Sequence, residues 1–210
     1  MTESPDLFPA SEFDDWAESY DVSVANNQFP FYGYRVVLEQ AVALAEAEAG
    51  MSVLDLGCGT GNLAARFARL GCEVWGTDFS APMLDKARQK LPQAHFYLHD
   101  LRGEWPFELP RRFDRIVSAY VFHHFELEDK VRIVRGLVGE HLAPGGRLVI
   151  ADIAFPDLAA QAELKKQLGD DWEEEYYWIA GEAISAFEQV GLKVKYMQVS
   201  ACAGVFTFQA

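Results

Sequence analysis

The sequence predicts a doubly wound α/β fold: a mostly parallel, seven-stranded sheet with one antiparallel strand near its edge, helices on both faces and an N-terminal helical cap. Three observations carry this. Short apolar runs alternate with helical runs from residue 51 to residue 153, the pattern of βαβ units. The first of these runs ends in a Gly-x-Gly-x-Gly turn that opens a helix. The last two apolar runs are separated by very few residues, with Cys202 to Gly204 at the centre of the link. So short a link suits an antiparallel hairpin, because a parallel pair needs a crossover.

The elements follow in order. Residues 1 to about 10, with Pro5 and Pro9, show no periodicity. Residues 11–22 place Phe13, Trp16 and Tyr20 at helical spacing and predict one short helix. A Pro/Gly-containing stretch follows, and residues 35–49 predict a strong helix stopped by Gly50. The core then reads strand (51–57), helix to Gly71, strand (72–78), helix (80–90), strand (93–100), strand (113–122) and helix (126–142). Ser80 is placed to cap its helix, and Pro82 is tolerated in the first turn. Ala-Pro-Gly-Gly (143–146) predicts a turn before a strand over 147–152. Helices over 156–169 and 182–191 flank an acidic, aromatic stretch, Asp170 to Trp178, and two strands close the chain. The division expected is one domain over 1–210, with a helical cap (1–50), a cofactor-binding core (51–153) and substrate-side helices with a hairpin (154–210).

Lys plus Arg is 18 against 32 Asp plus Glu, a net charge of −14. That balance argues against a protein living on nucleic-acid backbone or anionic lipid, both of which need a positive face. The first sixteen residues are acidic with no apolar run, so a secretory leader is not expected. No stretch reaches the roughly 18–20 apolar residues of a membrane span. Cys58, Cys72 and Cys202 are odd in number and widely spaced. They predict reduced thiols in a cytoplasmic protein, neither a disulfide scaffold nor a zinc ribbon.

The chemistry concentrates at Asp55-Leu56-Gly57-Cys58-Gly59-Thr60-Gly61. Glycines there allow positive φ and a close approach of ligand to main chain. The third glycine comes one residue too early for a dinucleotide fingerprint. Asp55, two residues before the first glycine, is a poor neighbour for a pyrophosphate and a good one for an ammonium group, directly or through water. Asp78 follows 19 residues after Gly59, where a carboxylate can accept both hydroxyls of a ribose and disfavours a 2′-phosphate. The alternative for Asp78 is a helix-capping role beside Ser80. Asp100, at the end of the next strand, is placed to accept from an adenine amine, or is simply a loop aspartate. Met83 and Leu101 are candidate apolar walls for the base, with core packing as their alternative.

Together these residues resemble the class I, Rossmann-like S-adenosylmethionine-dependent methyltransferases, over nearly the whole chain. Asp55-x-Gly57-x-Gly59-x-Gly61 looks like the family's first motif, Asp78 like its ribose acid and Asp100 like its adenine-side acid. Residues 113–125 look like its fourth-strand motif, and Leu142 to Gly146 like the turn before its fifth strand. The resemblance implies S-adenosylmethionine as cofactor and S-adenosylhomocysteine as product. It implies cofactor contacts at Phe79 and Ser118 as well as the residues above. Trp16-Ala17-x-x-Tyr20-Asp21 is similar to the small-molecule branch, which includes quinone-biosynthesis-like enzymes and an uncharacterised bacterial subgroup with Phe-His-His after strand four. In that branch the N-terminal helices fold over the cofactor, which implies that Tyr20, with Trp16 and Arg35, lines the pocket. Ser118-Ala119-Tyr120-Val121 departs from the Asn/Asp-Pro-Pro-aromatic motif of many amine methylators of nucleic acid and protein.

A sulfonium methyl is already electrophilic, so positioning can supply most of the catalysis, and a base is needed only where the acceptor must lose a proton. His123 and His124 are the base candidates, His123 first; the alternative is that they cap or order the loop. Adjacent histidines with no carboxylate or cysteine at ligand spacing predict no metal site. The aromatics and acids of Asp170 to Trp178 suit a lid for a flat or cationic acceptor, or else an amphipathic surface helix. The expected partner is thus a small-molecule acceptor, on a monomer or homodimer. Three other readings stay open: a cofactor sensor without turnover, a protein or RNA methyltransferase, and a nicotinamide-linked oxidoreductase.

Overall fold

The computed structural model describes residues 10–106 and 108–210; the expectation for residues 1–9 lies outside them. The sheet runs in the order β3-β2-β1-β4-β5-β8-β7. Its strands are β1 (Ser52–Leu56), β2 (Glu73–Asp78), β3 (His95–Leu98), β4 (Phe113–Ala119), β5 (Leu142–Phe155), β7 (Val194–Gln198) and β8 (Ala203–Gln209). A two-residue strand, β6 (Trp178–Ile179), pairs in parallel with the end of β5. Strands β1 to β5 are parallel to one another. Only β8 runs against its neighbours, β5 on one side and β7 on the other. Helices α4 (Ala64–Arg69), α5 (Ala81–Lys90) and α6 (Leu127–Gly136) supply crossovers, α6 continuing as a short π turn.

Alternate strand residues feed two cores. Val53, Val117 and Val149 face one side, packed with Phe67 of α4 and with Val37 and Leu38 of α3 (Tyr34–Ala45). Leu54, Ile116, Leu148, Phe206 and Phe208 face the other, packed with Val134 of α6 and Phe187 of α8 (Ala180–Gln189). Helix α7 (Leu158–Leu168) starts on Asp157, whose carboxylate accepts from Ala160 N at 2.8 Å.

Several boundaries differ from the sequence reading. The N-terminal segment is two helices, α1 (Ala10–Trp16) and α2 (Tyr20–Ala25), not one. Ser19 and Ser23 hydroxyls bond to main-chain carbonyls at the break, the usual competition of serine with helix bonding. The Trp16 indole donates to Ser23 Oγ at 3.2 Å. Helix α3 ends at Ala45, with Glu46 left-handed at φ +47, and not at Gly50. Two arginines of the sheet end it: Arg115 donates to Ala45 O and Glu46 O, and Arg147 to Leu44 O. The predicted turn at 143–146 lies inside β5 as a bulge, between the pairs Leu142 with Phe113 and Arg147 with Arg115. The β7–β8 link is 199–202, so Ala203 and Gly204 belong to β8. The Asp170 to Trp178 stretch is not a helix: a 3-10 turn over Gly169–Asp171 leads into extended chain and then β6.

Candidate active site

Neighbouring strands β1 and β4 send their chains to opposite faces of the sheet, so a crevice opens beyond their carboxyl ends. There the described residues line an open cavity of about 1300 Å³. Its wall takes residues from the loops after β1, β2, β3 and β4, from α1 and α2 above, and from the 173–176 segment at one end.

Tyr20, Gly57, Gly59, Asp78, Phe79, Met83, Asp100, Leu101 and His123 all line this cavity, as do Trp16 and His124. Asp55, Gly61 and Ser118 do not. Arg35 is exposed and pairs with Glu39 on its own helix.

The three loop glycines have different tasks. Gly57, at φ +64, would bring a Cβ to 2.4 Å from Val121. Gly59, at φ +52, has open space where a Cβ would stand, so its main chain faces the cavity bare. Gly61, at φ +82, packs over Ala87 of α5.

Asp78 braces the loop. Its carboxylate accepts from Gly59 N at 2.8 Å and from Ser80 N at 2.9 Å, and burial pushes it up to about 6. The Ser80 hydroxyl caps α5 through Met83 N. Asp78 is therefore both a brace beside that cap and a cavity carboxylate with lone pairs to spare. Asp100 is held by Arg102, whose Nε donates to Oδ1 and whose Nη2 donates to Oδ2.

Asp55 is 1 % exposed and accepts from Ala64 N at 2.9 Å, fixing the start of α4. Burial, with Asp78 nearby adding to it, pushes its carboxyl up to about 8, against roughly 3.9 in an open chain. A folded-state value raised in this way favours folding while the group is protonated. That contribution is complete below about pH 4 and is lost as pH rises through about 8. Between pH 5 and pH 8 the thermal midpoint of the wild type should fall relative to Asp55→Asn, which keeps an acceptor for Ala64 N. Parallel melting curves across that range would sink this account.

The end of the cavity that carries His123 is built from residues far apart in sequence. His123 Nδ1 and Asp152 Oδ1 lie 2.6 Å apart. Asp152 is fully buried and also accepts from Trp178 Nε1 at 2.9 Å and Ile153 N at 2.8 Å. Burial works to lower the His123 pKa, but the carboxylates of Asp152 and Glu175 outweigh it and the net direction is up. His124 is driven down to about 2 by burial, with the positive charges of His123 and Lys130 adding to it. Lys130, itself buried and lowered to about 8 by burial, donates to Tyr176 O. The Tyr176 amide donates to His123 O at 3.0 Å, so Glu175 is fastened beside the histidines. The expectation that no carboxylate accompanies them is corrected by this Glu175, which a distant loop delivers.

Asp152 and Lys130 escape the sequence reading, which names Glu175 and Trp178 only within the Asp170 to Trp178 stretch and not beside the histidines. An acid inside the apolar run of β5 is the available signal for Asp152. Asp21, noted as part of an N-terminal motif, has a bracing role that the sequence does not show: its carboxylate accepts from Thr60 Oγ1 at 2.6 Å and Asn62 Nδ2 at 2.9 Å, tying α2 to the glycine loop.

The geometry fits S-adenosylmethionine: bare main chain at Gly59, a carboxylate at the end of β2, and apolar Phe79, Met83 and Leu101 on the wall that also carries Asp78 and Asp100. The fold and this site define a Rossmann-like, S-adenosylmethionine-dependent methyltransferase. A methyltransferase domain model matches residues 53–146. An uncharacterised methyltransferase of Geobacillus thermodenitrificans is 33% identical over 197 residues, covering 90% of this chain and 91% of that one. Another, of Bacillus velezensis, is 35% identical over 198 residues, covering 89% and 90%. The chain belongs to this family of bacterial methyltransferases. Among solved structures, a DhpI complex with SAM and HEP superposes with a TM-score of 0.76 at 20% identity over the whole of both chains. A Haloferax volcanii methyltransferase bound to the Trm112 activator gives 0.72 at 19% identity over 96% of each chain. Magnesium protoporphyrin IX methyltransferase from Synechocystis with bound SAH gives 0.67 at 20% identity, covering 96% and 99%.

Proposed function

We propose that this methyltransferase acts on a small molecule held in the cavity, by in-line transfer to a nucleophile held against His123. The cavity's size carries the reading. About 1300 Å³ exceeds the roughly 300–1,000 Å³ of a typical ligand pocket, so a cofactor and a small acceptor fit together. Helices α1 and α2 and the 173–176 segment supply walls of the cavity, which suits a ligand small enough to sit among them. The net charge of −14 and the cavity acids Glu126, Asp129 and Glu173 oppose a nucleic-acid acceptor.

S-adenosylmethionine supplies the electrophilic methyl group. Asp78 accepts the ribose hydroxyls, Asp100 faces the adenine amine, and Phe79, Met83 and Leu101 bound the base. The Gly57–Gly59 main chain and Tyr20 hold the amino-acid end, while Asp55, Gly61 and Ser118 support the loop from behind. His123 faces the acceptor. With Asp152 on Nδ1, its Nε2 is left for an O–H or S–H acceptor that must be activated before transfer. The working form is a cytoplasmic monomer or homodimer, with the N-terminal helices serving as the cap of a single domain; no helix among the described residues is long and apolar enough to cross a membrane.

The test uses methyl-labelled cofactor with a cell extract split by size. Label should pass into the low-mass fraction. His123→Ala should lose that transfer by about a hundredfold or more while still binding S-adenosylhomocysteine. Label entering protein or RNA instead would overturn the small-molecule reading.

A further inference from the structure

Glu175 Oε2 lies 3.7 Å from His123 Nε2, and its Oε1 lies 3.8 Å from His124 Nδ1. One ligand atom from each of the three residues falls within 4.8 Å of the other two. All three line the cavity, and none is more than half exposed: His123 is buried, His124 and Glu175 partly so. The cluster is held from outside. Asp152 takes His123 Nδ1 at 2.6 Å, and the Tyr176 backbone is tied to His123 O and Lys130 Nζ.

We propose that His123, His124 and Glu175 bind a divalent transition metal of the zinc type, with an open position facing the acceptor. This rests on the reading of the wall as the acceptor's side. Two imidazoles, a carboxylate and a free fourth position form the ligand set of hydrolytic zinc centres. A ligating histidine usually donates its other ring N–H to a carboxylate, and Asp152 occupies that place. Bonds of about 2.0–2.2 Å put tetrahedral ligand atoms a little over 3 Å apart. The pairs at 3.7 and 3.8 Å are therefore within side-chain adjustment of that geometry. The Lys130 ammonium opposes a nearby cation, but it is directed at Tyr176 O and lies 4.4 Å over the Trp178 ring. Glu126, Asp129 and Glu173 add negative charge to the same cavity. With the ion in place, His123 Nε2 is a ligand and not a base. The ion instead polarises the acceptor's O–H or S–H, whose proton passes to water, and the acceptor binds as its anion.

Cobalt(II) is the probe, on full-length protein first stripped with a chelator. The expected result is one cobalt per chain, with visible d–d absorption that zinc bleaches. Glu175→Gln and His124→Ala should each weaken cobalt binding by more than about tenfold while S-adenosylhomocysteine titrates as in the wild type. A wild-type chain that binds S-adenosylhomocysteine but no cobalt overturns the proposal, as does cobalt binding that both variants retain in full. Cobalt binding without S-adenosylhomocysteine binding would uphold the metal site and overturn the map of the cofactor site.

Discussion

Asp78→Asn is expected to weaken S-adenosylhomocysteine binding by about a hundredfold or more with the thermal midpoint within a few degrees of wild type. A hydrogen bond to a charged group contributes about 1.5–3 kcal/mol, and about 1.4 kcal/mol is a factor of ten. Two ribose hydroxyls on one carboxylate therefore place the loss at two orders of magnitude or above. Stability should change little because two effects oppose each other. The amide keeps one acceptor, so either Gly59 N or Ser80 N loses its partner. Against that, the variant no longer has to bury a charge that the fold already disfavours at Asp78. Calorimetric titration beside a melting curve decides it. Unchanged affinity would remove Asp78 from the ribose site.

Trp178→Ala should cost the most stability of any substitution considered, about 3–5 kcal/mol. For a chain of this length that corresponds to a midpoint lowered by roughly 10 °C or more. The indole is 1 % exposed. Its ring centroid lies 4.7 Å from Phe206 and 6.1 Å from both Phe122 and Phe187. It joins β8, α8 and the loop after β4 in one contact, and its Nε1 supplies a donor to buried Asp152. Truncation opens a cavity and leaves a carboxylate short of a partner, and the second cost adds to the first. Trp178→Phe should recover much of the packing and none of the hydrogen bond. Scanning calorimetry of the two variants separates the terms; an alanine variant melting within two or three degrees of wild type would refute the account.

What the sequence makes legible is local. The glycine loop, its strand and its helix lie within one window, and strand–helix alternation carries the parallel sheet, with the hand of its connections set by the crossover rule. The short β7–β8 link reveals the reversed strand for the same reason. Features made by residues distant along the chain are not legible. The end of α3 depends on Arg115 and Arg147, which the fold delivers across the sheet. The Asp170 to Trp178 stretch carries aromatics at spacings that suit a helix, yet it is drawn out because Trp178 pairs with Ala154 beside β5. His123 is visible as a candidate and Glu175 only as one acid of the Asp170 to Trp178 stretch; that Asp152 and Glu175 stand beside His123 is not, since each reaches it from another strand or loop. Asp55 and Ser118 carry motif letters, but burial places them behind the loop and not on the cavity wall.

The reversed strand has a consequence for how the chain is made. β8 lies between β5 and β7 and pairs with both, so the interior of the sheet waits on residues 203–209. A ribosome delivers β5 and β7 first; β5 can already pair with β4, but its other edge and the whole of β7 stay unpaired until β8 has emerged. For that interval the nascent chain carries the open edge of a long apolar strand, together with uncovered surface that Phe206 and Phe208 will later seal. Such an edge is a template for pairing with another chain.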